Sequence, residues 1–391
     1  MTELMQSKCI PLSEPVLQGN EWKYIKECLD TGWISSAGSY VNKFEEMIAS
    51  YVGVSHAIAV VNGTAALHLA LIVAGVKEDD EVIVSTLTFI APVNAVHYVG
   101  ANPVFMDCDP ATACLDVKKV QLFLLEECIL ADDGFTYHKT TQKRVSAVIP
   151  VHVFGHPTDM DSLKKICAKM NIRIIEDATE SLGSAYQGKK TGSLGDIGCL
   201  SFNGNKIITT GGGGMLVTNN KEWATRARHL STQAKKDPFN YDHDEIGYNY
   251  RLTNIAAAMG VAQLEALEAY VARKRGIAAY YKKLFESISQ VKFFQEMPWA
   301  VSNYWLATIG VAKEDRLPLL IYLNDNNIQA RPAWKLIHTL PMYNQCETYD
   351  IKQATEVWAS IINIPCSVSI TEADLIRVVE TIISYYRSKK S

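Results

Sequence analysis

The chain has 391 residues, of which 48% are hydrophobic and 20% are charged, enough to build one large domain and a smaller one around buried cores. A net charge of −4 without any Lys/Arg run argues against a nucleic-acid partner. Nine cysteines without a C-x-x-C pair, no signal-peptide pattern and no apolar run of membrane-spanning length favour a cytoplasmic protein with reduced thiols, no metal site and no membrane contact.

The first half of the chain alternates short β-branched runs with helical segments. Strands are predicted at AIAVV (57–61), EVIVST (81–86), PVFMDC (103–108), SAVIPVHVF (146–154), IRIIED (172–177), DIGCLSF and GGMLVT, and helices in NGTAALHLALIVAGV, APVNAVHYVG and DSLKKICAKM. Because the apolar runs are nearly continuous, the strands are expected in a mostly parallel sheet that is buried on both faces. The polar segment 131–144 is expected to be an exposed excursion.

The second half has a different pattern. Residues 253–288 form a long Ala-rich helical stretch, with Gly260 and Gly276 as candidate breaks. Two strands are predicted near 303–311 and 361–364, followed by a final helix, TEADLIRVVETIISYYR. The predicted fold is therefore α/β, with an N-terminal arm (1–20), a large domain (21–250) and a small C-terminal α/β domain (251–391).

The stretch SFNGNKIITTGGGG (201–214) resembles a phosphate-binding loop only at first sight. Lys206 precedes the four glycines and a strand follows them, whereas a P-loop has its lysine after the glycines and then a helix. The spacing G-x-G-x-x-G is absent too, which argues against a nicotinamide oxidoreductase. We expect the glycines to allow a close backbone approach or an irregular turn. Lys206 follows a predicted strand, where open α/β sheets place their sites, so it is either a Schiff-base lysine or an ordinary surface lysine.

Two further elements carry chemistry. In IRIIED, strand alternation sends Glu176 and Asp177 to opposite faces, and an Asp at the end of a buried strand needs a cation or hydrogen-bond donors. A protonated pyridine nitrogen of pyridoxal phosphate (PLP) would serve, and the alternative is a helix N-cap. In VVNGTAALHLAL, N–H groups at the start of a helix suit a phosphate, unless Thr64 simply caps that helix. Together with Lys206, these elements supply a phosphate cradle, a partner for the pyridine nitrogen and an amine.

With these residues in place, the chain resembles the DegT/DnrJ/StrS family of PLP-dependent sugar aminotransferases, which have fold type I. The resemblance runs over nearly the whole length, through GWISSAGSYVNKFEE, NGTAALHLAL, STLTFIAPVNAV, PVHVFGHPTDM, IIEDATESLGSAYQGKKTGSLGDIGCLSFNGNKIITTGGGGML, GYNYRLTNIAAAMGVAQL and ARPAWKLIHTLPMY. It is most similar to the members that aminate C4 of UDP-linked 2-acetamido-4-keto-6-deoxy sugars for bacterial surface glycans, with glutamate as the amino donor.

The resemblance implies a role for each matching residue. Lys206 would be the Schiff-base lysine and proton shuttle, and Asp177 would keep the pyridine nitrogen protonated. Phe89 would stack on the cofactor ring; without the family, a core aromatic is an equally good interpretation. The phosphate would be held by Thr64, Ala65, Ser201 and Asn203.

The remaining implied roles concern the substrate and a second subunit. Asn249, otherwise a turn residue, would reach the phosphate of the other subunit, which implies a homodimer with shared active sites. Arg331 and His338 would lie near the nucleotide diphosphate. Trp33, Ser35 and Ser36 would border the sugar.

Two positions depart from the common family pattern. Asn203 stands where His is usual, and an amide still donates to a phosphate. Glu180 stands where Gln or His is frequent, beside the 3′-oxygen of PLP. We therefore hypothesise that Glu180 is either protonated, with a raised pKa, or turned toward the substrate. Relatives that dehydrate sugars carry His in place of Lys206, so this lysine favours amine transfer over two alternatives, a PLP-dependent dehydratase and a non-catalytic regulatory protein.

Overall fold

The computed structural model describes residues 8–237 and 239–389, so the first seven residues of the predicted arm lie outside it. Its helices are α1 (Glu21–Thr31), α2 (Ser39–Val52), α3 (Gly63–Val73), α4 (Ala91–Tyr98), α5 (Val117–Glu126), α6 (Met160–Lys169), α7 (Lys221–Ser231), α8 (Asn254–Glu265), α9 (Leu267–Phe285), α10 (Lys313–Asp325), α11 (Gln353–Ser360) and α12 (Glu372–Ser388), with 3₁₀ turns at Val153–Gly155 and Ile337–Thr339.

The strands are short, and several have only two residues. They are β1 (His56–Val60), β2 (Glu81–Ser85), β3 (Asn102–Met106), β4 (Cys128–Leu130), β5 (Thr136–His138), β6 (Val145–Ile149), β7 (Arg173–Asp177), β8 (Ala185–Tyr186), β9 (Lys189–Lys190), β10 (Ile197–Ser201), β11 (Gly214–Thr218), β12 (Lys235–Asp237), β13 (Asp242–His243), β14 (Lys292–Phe293), β15 (Ala300–Val301), β16 (Ala307–Gly310), β17 (Arg331–Pro332), β18 (Thr348–Tyr349) and β19 (Ile361–Ile364).

An eight-stranded sheet forms the centre of the fold, in the order β1-β11-β10-β7-β6-β2-β3-β18. Only β11 runs against its neighbours, so the predicted α/β fold with a mostly parallel sheet is confirmed. Every residue of β2, β6 and β11 is buried, which explains their continuous apolar sequences. A separate antiparallel sheet, β14-β16-β19-β17, lies in the C-terminal part.

The sheet brings the carboxyl ends of five strands to one edge, because β1, β2, β6, β7 and β10 all run in the same direction. Asn62, Thr86, Pro150, Ala178 and Phe202 follow these strands within two residues. This edge is where open α/β sheets bind their ligands, and it positions the candidate site described below.

The structure corrects two predictions for the first half of the chain. The strand expected over 146–154 ends at Ile149, because Val153–Gly155 forms a 3₁₀ turn in which Phe154 has φ = 56°. The segment 131–144 is exposed only in part: β4 and β5 form a hairpin whose buried His138 contacts Glu81 through Nδ1 at 2.9 Å.

The long helical stretch is interrupted at Ala266, where α8 and α9 meet at 57°, and not at the two predicted glycines. Gly260 lies inside α8 against Phe44, and a Cβ on it would lie 2.7 Å from the Phe44 ring. Gly260 is therefore a close-packing residue rather than a helix break. No single described helix is long and apolar enough to cross a membrane; α8 and α9 meet those criteria only as a bent pair.

The domain limits stay a prediction. Helix α8 packs on α1 and α2 of the large domain, with Ala257 and Val261 in the same apolar cluster as Phe44. Strand β18, from the C-terminal part, adds to the edge of the large sheet beside β3. Near the N-terminus, Ile10 pairs with Ile328, so the described part of the arm contacts the C-terminal region.

The glycine run enters β11 by a very close approach to the turn before α3. A Cβ on Gly214 would lie 2.4 Å from the carbonyl carbon of Asn62, a distance that real side chains do not adopt. A Cβ on Gly212 would meet only the carbonyl oxygen of Val61, at 3.9 Å. The expected close backbone approach is thus confirmed, and within this pair of glycines Gly214 is the one that requires it.

Gly214→Ala should lower the free energy of unfolding by about 1–3 kcal/mol, because the methyl group must push the β1–α3 turn away from β11. Gly212→Ala, two residues away, should stay within about 0.5 kcal/mol of the wild type. Denaturant unfolding followed by circular dichroism measures both variants. Equal losses in the two variants would contradict the assigned contact.

Candidate active site

Lys206 lies in the loop after β10, with only 13% of its side chain exposed. Its Nζ lies 3.8 Å from Oε1 of Glu180 and 4.0 Å from the centroid of the Trp305 ring. Its backbone N–H donates to the carbonyl of Asn203, which fixes the loop. A surface lysine would have its amino group in water, so the interpretation of Lys206 as an ordinary surface lysine is wrong.

Asp177 ends β7 and is 2% exposed. Its Oδ1 accepts the N–H of Thr179 at 3.1 Å, and a turn rather than a helix follows, so the alternative of a helix N-cap is wrong. The predicted alternation is confirmed, because Glu176 points to the other side, where it contacts Nε2 of His152 at 2.9 Å. Burial raises the pKa of the Asp177 carboxyl, against the attraction of Lys206. A cation beside Asp177 would reverse that shift.

Glu180 is 4% exposed and faces Lys206 with one oxygen. Its other oxygen, Oε2, accepts the N–H of Phe154 at 2.9 Å. Phe154 presents this N–H from a left-handed backbone conformation that an aromatic residue rarely adopts (φ = 56°). The contact ties the strained turn after β6 to the amine in the loop after β10.

Burial changes the ionisation of this carboxyl and of the amine opposite it. It raises the pKa of the Glu180 carboxyl to about 7, with the attraction of Lys206 acting in the other direction. It lowers the pKa of the Lys206 amine, although Glu180 and Asp177 both oppose the change. Both shifts favour the uncharged forms. A neutral amine is the form that attacks a carbonyl carbon, so the surroundings prepare Lys206 as a nucleophile.

The start of α3 forms an anion-binding corner with neighbouring loops. A Cβ on Gly63 would lie 3.0 Å from Cβ of Ser201 and 3.1 Å from Cγ2 of Thr179, so the three residues meet at one point. The cap of this helix is Asn62, whose Oδ1 accepts the N–H of Ala65 at 2.7 Å, and not Thr64. Thr64 is only partly buried at the first turn, which leaves this end of the helix accessible to a phosphate.

Aromatic side chains cover the neighbouring part of the edge. Phe89, after β2, is 50% exposed, so the reading of Phe89 as a core aromatic is wrong. The Trp334 ring lies 6.1 Å from the Phe89 ring and 5.1 Å from the Phe154 ring, centroid to centroid. His338 contacts the hydroxyl of Thr86 through Nδ1 at 2.6 Å, which brings the segment 331–338 to the end of β2.

The other predicted residues are mostly exposed. Arg331 is exposed on β17, and Asn203 and Asn249 are exposed in loops. The backbone carbonyls of Trp33 and Ser36 accept hydrogen bonds from Asn254 and Arg251. Within residues 8–237 and 239–389, none of the following makes a side-chain hydrogen bond to Lys206, Asp177 or Glu180: Trp33, Ser35, Ser36, Asn203, Asn249 and Arg331. Their roles stay predictions.

Two C-terminal residues of the site were missed from the sequence. Trp305 is 3% exposed and covers Lys206 with its ring. Asn303 donates through Nδ2 to the carbonyls of Glu180 and Leu182 at 3.1 and 2.9 Å. Neither residue lies in a motif, and no periodicity links them to a lysine about a hundred positions earlier. Trp334 could have been identified from the sequence, because it lies in the family-like segment ARPAWKLIHTLPMY.

The sequence model of the DegT/DnrJ/EryC1/StrS aminotransferase family matches residues 15–383. GDP-perosamine synthase of Escherichia coli O157:H7 is 42% identical over 98% of this chain and 100% of its own length. UDP-4-amino-4,6-dideoxy-N-acetyl-beta-L-altrosamine transaminase of Campylobacter jejuni is 36% identical over 65% of this chain and 64% of its own. The structure of DesI with its TDP-sugar product superposes with a TM-score of 0.85 and 27% identity, covering 96% of this chain and 92% of that one.

The chain belongs to the DegT/DnrJ/EryC1/StrS aminotransferase family, and it is a PLP-dependent sugar aminotransferase of fold type I. The residues present fit that cofactor. A helix start with neighbouring hydroxyls suits a phosphate, a buried carboxyl suits a pyridinium nitrogen, and a buried amine suits a carbonyl carbon. All three groups lie at one edge of one sheet.

The raised pKa of Glu180 should make stability fall as pH rises. Its carboxyl holds a proton up to about pH 7 in the folded chain but only to its ordinary value of 4.5 when unfolded, so its stabilising contribution is complete below 4.5 and lost above 7. Between pH 5 and 8 without cofactor, the stability of the wild type relative to Glu180→Gln should decline by about 2–3 kcal/mol.

Glu268→Gln is the matched control for this titration. Its side chain is 68% exposed and its pKa is lowered, mainly by the Tyr51 hydroxyl, so it stays ionised over this whole window. Denaturant unfolding at several pH values measures both differences. A wild-type curve parallel to that of Glu180→Gln would mean that the Glu180 carboxyl does not titrate there.

Proposed function

We propose that this enzyme transfers an amino group from glutamate to the C4 keto carbon of a nucleotide-linked 4-keto-6-deoxy sugar, for the synthesis of a bacterial surface glycan. The observation that carries the proposal is the buried Lys206 amine, which lies at the same sheet edge as the Asp177 carboxyl and the N-terminus of α3. The presence of this lysine also disfavours the two alternatives, a sugar dehydratase and a regulatory protein without turnover.

Bound PLP supplies an aldehyde for the amino group and an electron sink for the carbon that gains or loses a proton. Lys206 would hold the cofactor through Nζ, and the same amine would accept and return the proton in the transfer. Asp177 would favour a proton on the pyridine nitrogen, because its burial makes an unpaired carboxylate costly. Phe89 would cover the cofactor ring. The phosphate would be held by residues Thr64, Ala65, Ser201 and Asn203.

Glu180 provides a proton-holding group 3.8 Å from the Lys206 amine. With a pKa raised to about 7, it exists in both forms near neutral pH. It can therefore give a proton to Lys206 or take one from it, and no proton from solvent is needed. This supports the version of the sequence-based hypothesis in which Glu180 is protonated.

The nucleotide is the finer part of the substrate. The resemblance favours UDP, as in the name of the Campylobacter jejuni relative, whereas the Escherichia coli relative, aligned over 98% of this chain, is named for a GDP sugar. Arg331 is suited to a diphosphate, since its planar fork matches phosphate oxygens. His338, seven residues later, contacts Thr86 just after β2, and burial lowers its pKa. Trp33, Ser35 and Ser36 are the proposed sugar-side residues.

The protein is further proposed to act as a cytoplasmic homodimer with shared active sites. All nine cysteines are free thiols, which supports a reducing compartment. Tyr248 and Tyr250 stack on each other at 5.0 Å, and Nδ1 of His68 contacts the Tyr250 hydroxyl, while Asn249 between them is exposed. The Asn249 side chain is therefore at the surface, where it is able to contact a second subunit.

The decisive assay supplies glutamate with either UDP-linked or GDP-linked 4-keto-6-deoxy sugars and identifies the product by mass and NMR. An amine at C4 with loss of glutamate supports the proposal, and the better nucleotide is the one with the higher kcat/KM. Dehydrated product, an amine at C3 or no product with either nucleotide would contradict it.

Asp177→Asn should lower kcat by at least about a hundredfold while PLP stays bound, because the amide cannot hold the pyridine nitrogen protonated. Lys206→Ala should abolish turnover altogether. Asp196→Asn, in a loop outside the site, is the control. Visible absorbance reports bound cofactor and steady-state kinetics report turnover; an Asp177→Asn enzyme with wild-type kcat would remove Asp177 from the mechanism.

Mixed dimers test whether Asn249 acts across the interface. Lys206→Ala and Asn249→Ala subunits, unfolded and refolded together, should regain about a quarter of wild-type activity, since half of the random dimers hold one intact site. Mixing Lys206→Ala with Asp177→Asn should restore nothing, because both residues serve the same site within one chain. Equal activity in the two mixtures would place Asn249 in its own subunit's site.

A further inference from the structure

Trp305 lies in no sequence motif, yet its ring contacts the Lys206 amine directly. Its ring centroid lies 4.0 Å from Nζ of Lys206, well within the range of a cation–π contact. The ring is almost fully buried, so water does not screen the contact. The residue comes from the C-terminal part of the chain, between β15 and β16, far in sequence from Glu180 and Asp177.

Hydrogen bonds to both the ring and the backbone hold Trp305 in place. Its Nε1 donates to the carbonyl of Asn205, the residue before Lys206, at 2.7 Å. Its backbone N–H donates to Oδ1 of Asn303 at 2.8 Å, and its carbonyl accepts from Nζ of the buried Lys274 at 2.8 Å. The Nε1 bond fixes the orientation of the ring, which simple apolar packing would not require, and the backbone bonds fix the main chain that carries it.

We propose that Trp305 is a positioning residue for Lys206. The indole face of Trp305 holds the Lys206 amino group in place and stabilises the protonated form of that amine. The inference deepens the proposed aminotransferase reaction and rests on it. In that reaction Lys206 accepts a proton and gives it back, although its burial disfavours the charged amine. A π face attracts the ammonium group without carrying an exchangeable proton of its own, so it cannot compete for the proton in transfer.

The charged groups around Lys206 show why a neutral partner is useful. From the end of β7, Glu180 and Asp177 both face the amine, but each stabilises the ammonium form only while it is itself ionised. From α9, Lys274 lies behind the carbonyl of Trp305 and adds positive charge on that side. The attraction of the indole face, unlike that of Glu180 or Asp177, does not depend on the ionisation of a carboxyl group.

The same segment also sets the position of Glu180. Asn303, two residues before Trp305, binds the carbonyls of Glu180 and Leu182. One short stretch of the C-terminal region thus fixes both members of the amine–carboxyl pair. The distance of 3.8 Å between them therefore depends on residues 303–305 as well as on their own loops.

The test follows the visible absorbance of the PLP-loaded enzyme as a function of pH, because the midpoint of the spectral change reports the proton on the Lys206 nitrogen. Trp305→Leu keeps an apolar side chain without a π face and should lower the midpoint by about 0.5–1.5 pH units. Trp305→Phe keeps a weaker π face and should lower it less. Trp358→Leu is the matched control, since that ring faces Arg316 at 4.6 Å, and its midpoint should not move.

A second readout needs no cofactor. In the cofactor-free full-length chain, labelling of Lys206 by an amine-reactive reagent, quantified by peptide mass spectrometry, should begin at lower pH in Trp305→Leu than in the wild type. If Trp305→Leu does not fold, the shift of Trp305→Phe against the wild type decides the matter in both assays.

The outcomes separate this inference from the proposed function. A wild-type band that titrates normally, with unchanged midpoints and labelling curves in folded Trp305→Leu and Trp305→Phe, overturns the role of Trp305 alone. A wild-type protein that binds no PLP overturns the proposed function and this inference with it. Midpoints ordered wild type, Phe, Leu support both.

Discussion

Burial of one amine and two carboxyl groups in the same small volume is the constraint on which this structure depends. Lys206, Asp177 and Glu180 are each shielded from water, so charge on any of them is costly without a partner. Fixed neighbouring groups offset this cost. The Phe154 N–H donates to Glu180, the Thr179 N–H donates to Asp177, and the Trp305 ring lies over the Lys206 amine. A cofactor with an anionic phosphate and a cationic ring nitrogen completes the balance.

The fold meets this constraint by bringing distant residues together at one edge of the sheet. Asp177 and Glu180 follow β7, Lys206 follows β10 and the phosphate corner follows β1, all strands of the same direction. The C-terminal part completes the arrangement through contacts of Asn303 with Glu180 and of Trp305 with Asn205. Each group is thus held by backbone that is itself fixed by the sheet, rather than by a mobile loop alone.

Much of this could be predicted from sequence, for identifiable reasons. Buried parallel strands are read from continuous apolar runs, and Asp177 stands out because it ends such a run. The Asn62 cap was missed because Thr64 is also of a residue type that caps helices, and only the exact start of the helix separates the two. The break at Ala266 was missed because alanine carries no break signal, whereas Gly260 does. Trp305 and the left-handed Phe154 depend on contacts between distant segments, which a local pattern does not encode.

Reductive trapping of the bound cofactor tests the central claim most directly. Borohydride treatment of the PLP-loaded enzyme, followed by digestion and peptide mass spectrometry, locates the lysine to which PLP is joined. The account predicts a single modified peptide with the label on Lys206, and no label when glutamate has first converted the cofactor to its amine form. A label on another lysine, or none at all in the untreated enzyme, would contradict it.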